Sequence, residues 1–423
     1  MGKTARRRRL DPRGEGLEDR RLLSGYSPTQ VESVYGFDGV AFTSPAGASI
    51  AGGGAGQTIA IIASYHNPNL LSDLAVFDEA NGLPKADVTV VNLAGDATNA
   101  TWASESAMDV QWAHALAPAA SIVLVEAKSD SGDDVLAAVD VARNLPGVTV
   151  VSMSFGFTET PGQHVYDSLF TTPAGHVGVT FVAASGDHGP AGGAMYPASS
   201  PNVLGVGGTT LTLDDSGGVA SESVWSLSAS GPARFAARPA YQAAFQQGLR
   251  RATPDVSFLG DPTTGVSIYH TPPGESQGSW RTFAGTSLGS PAWAAIVAIV
   301  NQGRALEGKG SLDGPSEALP ALYALAGTDA FRGVTNTVSA TAAGLGVPDV
   351  KALVPALVRY TTPVATTTST TQVTSSPSRA TIRRRPAFQR RQAAAVPRAP
   401  QTPSPRVRLV RQQGQARRAA MLS

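Results

Sequence analysis

Residues 283–303, FAGTSLGSPAWAAIVAIVNQG, constrain this chain more than any other stretch. Their second part, 292–300, is apolar on every side of a helical wheel, and a helix with no polar face must be enclosed by protein. The pattern predicts a central core helix. Ahead of it stand Gly285, Thr286 and Ser287, then Gly289 and Pro291, so a glycine-bearing turn with a hydroxyl at its tip runs into a helix with proline in the first turn. Ser287 is presented there. The backbone N–H groups and positive dipole end of such a helix can hold the negative oxygen of a tetrahedral acyl intermediate. Ser287 therefore reads either as a nucleophile or as part of a Thr/Ser cap on a buried helix, and capping hydroxyls are the commoner of the two.

A chain of 423 residues, 42% hydrophobic, can bury a sizeable core and fits one large α/β domain with tails, or two domains. We read one domain with tails. Of 33 basic and 32 acidic side chains, 8 and 4 fall in residues 1–23, and 12 and none in residues 360–423. That leaves 13 against 28 between them, a body of net charge −15, which is compatible with mildly acidic surroundings. The absence of cysteine excludes disulfides, thiolate metal sites and cysteine nucleophiles. No apolar run approaches the roughly 20 residues of a membrane-spanning helix.

Residues 1–24 are charged and without packing periodicity, and are set aside as a basic leader or sorting segment. Short apolar, β-branched runs at 57–63, 87–93, 121–127, 148–154 and 177–184 predict buried strands. Helical patterns at 70–80, 102–116 and 133–144 fall between them, and this alternation predicts a parallel sheet with helices on both faces. Chemistry then belongs at the carboxyl ends of the strands. The Gly-, Pro- and Ser-rich stretch 205–278 reads as long loops, and 349–359 as a short helix. The domain is placed at 25–359, followed by a Thr/Ser/Pro-rich linker at 360–378 and an Arg-rich tail at 379–423, disordered on its composition.

Glu105 and Asp109 lie four apart in the 102–116 pattern, so their carboxyls share one side of a helix with Met108, Trp112 and Leu116, while Gln111 and His114 point the other way. Acid pairs on helices are usually solvated, but an apolar neighbourhood argues for burial with a purpose. Asp187 sits in the turn Ser185-Gly186-Asp187-His188-Gly189 beyond a buried strand, where it is either a turn former or a site residue at the reactive edge. The six histidines, His66, His114, His164, His176, His188 and His270, show no metal-ligand spacing, which disfavours a metal hydrolase. His188 beside Asp187 invites a Ser-His-Asp reading, but neighbours in a turn project apart. A subtilisin-like enzyme would need an Asp closing its first strand and a His-Gly-Thr segment; here the strand ends Ala63-Ser64 and no His-Gly-Thr occurs.

The motifs YSPTQVESVYGF, TIAIIASYHNP, ESAMD, AASGDHG, YPASSPNVLGVGGTTL, RATPDVSF and GTSLGSP together resemble the sedolisins, or serine-carboxyl peptidases, from about Tyr26 to Ala356. That resemblance implies a subtilisin-like, doubly wound α/β fold with a buried central helix after the nucleophile. It implies Ser287 as nucleophile, Glu105 as its general base, Asp109 as the acid supporting the glutamate, and Asp187 as the carboxylic acid of the oxyanion hole. The residue chemistry is consistent: three carboxyls around one serine cannot all ionise cheaply, so protons are shared and pKa values rise. A carboxylate also remains a base in acid that would protonate histidine. The implied activity is serine-type endopeptidase action on polypeptides through an acyl-enzyme at acidic pH, with tripeptidyl-peptidase action as a variant, in a secreted bacterial monomer. The contrasting expectation is a proteolytically silent, protease-like binding or surface protein.

Three departures from the family pattern stand out. Members usually carry a large N-terminal propeptide, whereas the resemblance here begins at about Tyr26, so the chain is read as the catalytic domain without it. The family's calcium site uses an Asp in a segment like 331–335 and ligands from a later loop; here Gly333 stands at the Asp position and Asp349 is the one later acid. No cofactor is expected, and calcium binding is expected to be lost or weak, because a hard cation needs several oxygen ligands. Ser64 stands where an acid is common after the first strand. Arg383–Arg385 and Arg390–Arg391 could bind nucleic acid or another polyanion through the tail alone, although a solvated tail is the plainer reading.

Overall fold

Along residues 58–64 successive side chains enter two different apolar clusters: Ile59, Ile61 and Ala63 join one, Ala60 and Ile62 the other. A strand buried on both faces belongs to a sheet covered on both sides, and that is the architecture observed. The computed structural model describes residues 25–44, 46–335 and 341–361; the leader, nearly all of the linker and the Arg-rich tail lie outside the described residues.

The main sheet has eight strands: β1 (Thr58–Ser64), β2 (Asp87–Asn92), β3 (Ser121–Ala127), β4 (Val148–Met153), β5 (Thr180–Ala184), β6 (Val203–Leu213), β7 (Val219–Val224) and β8 (Val256–Leu259). Their order is β7–β6–β5–β4–β1–β3–β2, with β8 paired to β6. Every pairing is parallel except that of β6 with β7. The chain winds outward from β1 in both directions, through β3 on one side and β4 on the other, so the switch point lies at the carboxyl end of β1.

The helices that frame the core and the site are α1 (Pro28–Tyr35), α2 (Leu70–Asn81), α3 (Ala100–Leu116), α4 (Gly132–Arg143), α5 (Thr286–Leu306) and α6 (Val350–Arg359). On one face α2, α3 and α5 bury Leu74, Phe77, Met108, Trp112, Trp293 and Ile296 against Ile59 and Ile61. On the other, α4 contributes Val135, Val139 and Ala142. Helix α5 packs against β4, β5, β6 and α3, and is buried without a break from Thr286 to Arg304. Such close packing needs a glycine: a β-carbon on residue 289 would lie 2.5 Å from Val206 Cγ1 of β6.

The structure corrects the sequence reading in three places. The stretch 205–278 is not mainly loop; it contains most of β6, all of β7 and β8, the hairpin Gly231–Ala237 with Arg250–Thr253, and the strand Val266–His270, which pairs with Ser279–Phe283 just beyond it. Glycine density there marks close approach rather than irregularity, since a β-carbon on Gly207 would lie 2.6 Å from Pro254 and one on Gly208 2.9 Å from Trp225. Helix α3 has no solvated side beyond its first turn, because Gln111 and His114 are as buried as Trp112. Main chain meets both: Gln111 Nε2 bonds Tyr269 O at 2.7 Å, and His114 Nε2 lies 2.8 Å from Pro84 O, although His114 Nδ1 has no partner. Finally, α5 begins at Thr286, which places Pro291 in its second turn.

Candidate active site

Gly285 has φ +122°, a backbone conformation open to glycine and closed to most residues, and it turns the chain into α5. A β-carbon there would lie 2.7 Å from Asp187 Oδ2. The missing side chain is therefore space occupied by a carboxylate. Asp187 follows β5 at the carboxyl edge of the sheet, and its Oδ1 accepts hydrogen bonds from Thr286 N at 2.9 Å and Thr286 Oγ1 at 2.8 Å. Thr286 Oγ1 in turn accepts from Gly186 N at 3.0 Å, so turn and helix start are pinned together. Oδ1 is committed to the helix terminus, which leaves Oδ2 as the atom to carry a proton.

Ser287 is the second residue of α5 and is 1% exposed. Its N–H belongs to the first turn, where no preceding helical carbonyl exists to receive it. Glu105 and Asp109 approach from α3, which starts cleanly because Asn99 accepts from Thr101 N at 3.0 Å and Trp102 N at 3.2 Å. Both carboxyls are buried, whereas Asp187 is half-buried. Burial pushes Glu105 up to about 8; the nearby Ser287 hydroxyl opposes the rise and the charge of Asp187 adds to it. Burial, then the charge of Glu105, holds Asp109 well above the usual carboxylate range. Asp187 is also raised by burial, against the two bonds from Thr286.

The structure thus brings together all four residues singled out from the sequence. Ser287 Oγ, Glu105 Oε1 and Asp109 Oδ2 are buried without a hydrogen-bond partner, although Ser287 lies near enough to Glu105 to affect its ionisation. Buried polar atoms rarely go unpaired, and here three of them gather on neighbouring residues. His188 influences Asp187 by its charge but makes no hydrogen bond to Ser287, and its Nδ1 is unpaired.

Sequence reasoning missed Ser154. It lies just beyond β4, 3% exposed, with Oγ 2.9 Å from Asp109 Oδ1 and 3.1 Å from the main-chain oxygen of Ser287. A signal was present: Ser152 and Ser154 interrupt an apolar run at a spacing of two, which turns both toward the α5 face. Ser152 Oγ indeed meets Ser290 Oγ of α5 at 2.9 Å. In the segment corresponding to the calcium site, Gly333 offers no side chain, and Asp349 Oδ1 caps α6 by accepting from Ala352 N at 3.1 Å. The intervening residues 336–340 lie outside the described residues.

Residues 90–311, just over half of the chain, match the subtilase family. The chain belongs to that family. Its span includes Glu105, Asp109, Asp187 and Ser287. A curated relative is sedolisin from Pseudomonas sp. (strain 101), 27% identical over 312 residues, covering 65% of this chain and 50% of the relative. The chain thus spans about half the length of that protein. A solved Pseudomonas sedolisin, described as a serine-carboxyl proteinase complexed with two molecules of pseudo-iodotyrostatin, superposes with a TM-score of 0.66 at 24% identity over 78% of this chain and 97% of that one. The subtilisin-like α/β fold is common to both. Both matches lead to sedolisin, the type whose motifs this subtilase carries. Among the described residues no helix is long and apolar enough to cross a membrane.

Proposed function

We propose that this protein is a serine-type endopeptidase of the serine-carboxyl kind, acting on polypeptides through an acyl-enzyme in weakly acidic surroundings. The observation that carries the reading is the meeting of an unpaired Ser287 hydroxyl at a helix N-terminus with the unpaired oxygens of two buried carboxyls. Glu105 takes the hydroxyl proton as Ser287 Oγ bonds to the scissile carbonyl carbon, while Asp109 keeps a second proton and so limits the negative charge of the pair. The carbonyl electrons move to oxygen. That oxygen is met by the Ser287 N–H and by the neutral Asp187 acid, whose Oδ1 is engaged by Thr286 and whose Oδ2 carries the donor proton. Glu105 then returns its proton to the leaving amine, and water, deprotonated by Glu105, releases the acyl group.

The acids act as a unit that must lose one proton while retaining the others, so activity rises as that proton leaves and falls as Asp187 ionises. The raised values favour a window in mild rather than strong acid. The segment that would hold calcium lacks a carboxylate at Gly333 and uses Asp349 as a helix cap, and we expect the domain to work without a bound ion. Export, and a polyanion-binding role for the Arg-rich tail, belong to the same reading and rest on composition.

The test is cleavage of a denatured protein by the purified full chain from acid to neutral pH, beside Ser287→Ala and Glu105→Ala. Cleavage that peaks in weak acid and disappears in both variants is expected. Folded wild type that cleaves nothing at any pH, with or without calcium, sinks the reading and favours a protease-like binding protein.

A further inference from the structure

Pro291 has no N–H, and the carbonyl four residues before it in α5 is that of Ser287. The main-chain oxygen of the nucleophile's own residue is thereby denied its helical partner. Ser154 supplies one, with Oγ 3.1 Å from that oxygen, and the same Oγ lies 2.9 Å from Asp109 Oδ1. We propose that Ser154 is a positioning residue of the relay, whose single hydroxyl hydrogen is shared between Asp109 and the Ser287 carbonyl and so ties the placement of the nucleophile to the proton on Asp109. This inference rests on the proteolytic reading above.

A serine hydroxyl has one hydrogen and faces two acceptors here. Both contacts can be hydrogen bonds only when Asp109 brings a proton of its own: Asp109 then donates to Ser154 Oγ, and Ser154 donates to the Ser287 carbonyl. When Asp109 is ionised, the Ser154 hydrogen turns to it and the Ser287 carbonyl loses its partner. Burial favours the first arrangement by holding a proton on Asp109. The neighbouring contacts leave Ser154 no slack, because Ser290 Oγ of α5 accepts from Met153 N at 3.1 Å and meets Ser152 Oγ at 2.9 Å. With the shared carboxyl oxygen engaged by Ser154, Oδ2 of Asp109 remains for exchange with Glu105, and neither it nor Glu105 Oε1 has another partner.

The titratable groups that act on Asp109 are few. Glu105, one turn away on the same helix, acts on it directly; Asp187, from the turn after β5, acts on Glu105, and His188 acts on Asp187. Others on elements packed around α3 are engaged with one another: Asp73 with Thr271, Asp78 with His114, Glu126 with His66 and Asn67, Arg304 with Glu317. Glu32 of α1 is raised by burial and by Asp38.

The experiment compares Ser154→Ala, Ser154→Thr, Ser287→Ala and wild type, all as the full chain with folding checked by melting. Turnover of a denatured protein across pH gives kcat and KM, and infrared difference spectra give the protonated-carboxyl stretch. For Ser154→Ala we expect kcat about tenfold lower, KM changed less than about twofold, and the acidic limb moved to higher pH by about half to one unit, the effect of one hydrogen bond to the charged form. Glu105 and Asp109 lose one proton as a pair, and removing a hydroxyl that helps the pair carry the resulting charge makes that proton harder to lose, hence that direction; Ser154→Thr keeps the hydroxyl and should restore the limb. An unchanged acidic limb and an unchanged carboxyl stretch in Ser154→Ala overturn the proposal, even if kcat falls with melting temperature. A shifted stretch with an inactive wild type overturns the proteolytic reading alone.

Discussion

The carboxylate of Asp187 occupies the volume that a side chain on residue 285 would fill: a β-carbon there would stand 2.7 Å from Oδ2. Gly285→Ala therefore displaces the end of a flexible side chain rather than backbone, and stability should fall by about 1–3 kcal/mol, the strain of a non-glycine residue at φ +122° and ψ 168°. Activity should fall much further, by about 100-fold or more, because the displaced group is the proposed oxyanion donor. Melting and turnover measured on the same preparation check this; equal, small losses in both would remove Asp187 from the oxyanion site.

Asp187→Asn keeps a neutral donor in the same shape. It should retain a measurable fraction of activity where Asp187→Ala loses about 100-fold, and it should lack the decline at higher pH that ionisation of Asp187 imposes. Parallel pH profiles of kcat/KM for the two variants decide the point. An alkaline limb that survives in Asp187→Asn assigns that limb to another group.

Stability should depend on pH in a definite direction. Glu105 has an ordinary value of 4.5 and is pushed up to about 8 by burial, so between these values the folded protein binds a proton that the unfolded chain releases. Its contribution is full below about pH 4.5 and is lost as pH rises through about 8. Asp109 and Asp187, both raised, act in the same sense. The melting temperature should drop by on the order of 5 °C from pH 5 to pH 8, and Glu105→Gln should flatten that slope. Scanning calorimetry in inert buffers provides the measurement, and a rising profile for wild type contradicts it.

Away from the site, Arg251 and Asp255 form a fully buried pair, with Nη1 to Oδ1 at 2.7 Å and Nη2 to Oδ2 at 2.6 Å. Asp255 also accepts from Gly205 N at 2.7 Å and Tyr323 Oη at 2.8 Å, tying β6 to the C-terminal part of the domain. Arg251→Met leaves a buried charge uncompensated and should cost about 3–5 kcal/mol in urea unfolding. A cost below about 1 kcal/mol would show the site to be wetter than its burial indicates.

Chelation should leave the melting curve unchanged. Where the family segment has an acid this chain has Gly333, and the neighbouring Arg332 bonds Glu222 Oε2 at 2.6 Å and Val34 O at 3.1 Å. A guanidinium thus ties the 331–332 strand to α1 and β7. Arg332→Ala should destabilise in the presence or absence of calcium, by about 1–2 kcal/mol. A calcium-dependent rise in melting temperature of the wild type would show that oxygen ligands for the ion exist after all.

Periodicity made much of this molecule legible. Apolar runs of seven or eight residues fit strands buried on both faces, and an all-apolar helix fits a core helix, so β1, β3, β4, β5 and α5 follow from composition at fixed spacing; 87–93 also forms a strand, β2, but it lies at the sheet edge and is half-exposed rather than buried. The 205–278 region escaped that logic because its strands are rich in glycine, and glycine reads as a loop until the Pro254 and Trp225 side chains that demand it are in view. The even burial of α3 escaped it for a related reason: Gln111 and His114 are polar, and only distant main-chain oxygens at Tyr269 and Pro84 make their burial tolerable.

The four residues of the candidate site could be named from local pattern and resemblance, since each stands in a short motif that presents it: a capped helix with acids four apart, a glycine turn after a strand, a glycine-led helix start. Their arrangement is a property of the tertiary structure. Position 105 comes from the β2–β3 crossover, 187 from the turn after β5 and 287 from the helix that follows β8, and the pKa values that matter arise from burial that no single segment creates. Ser154 makes the same division plain. Its presence beyond a strand is local, but its role depends on a carbonyl freed by Pro291, more than 130 residues away in sequence and a hydrogen bond away in space.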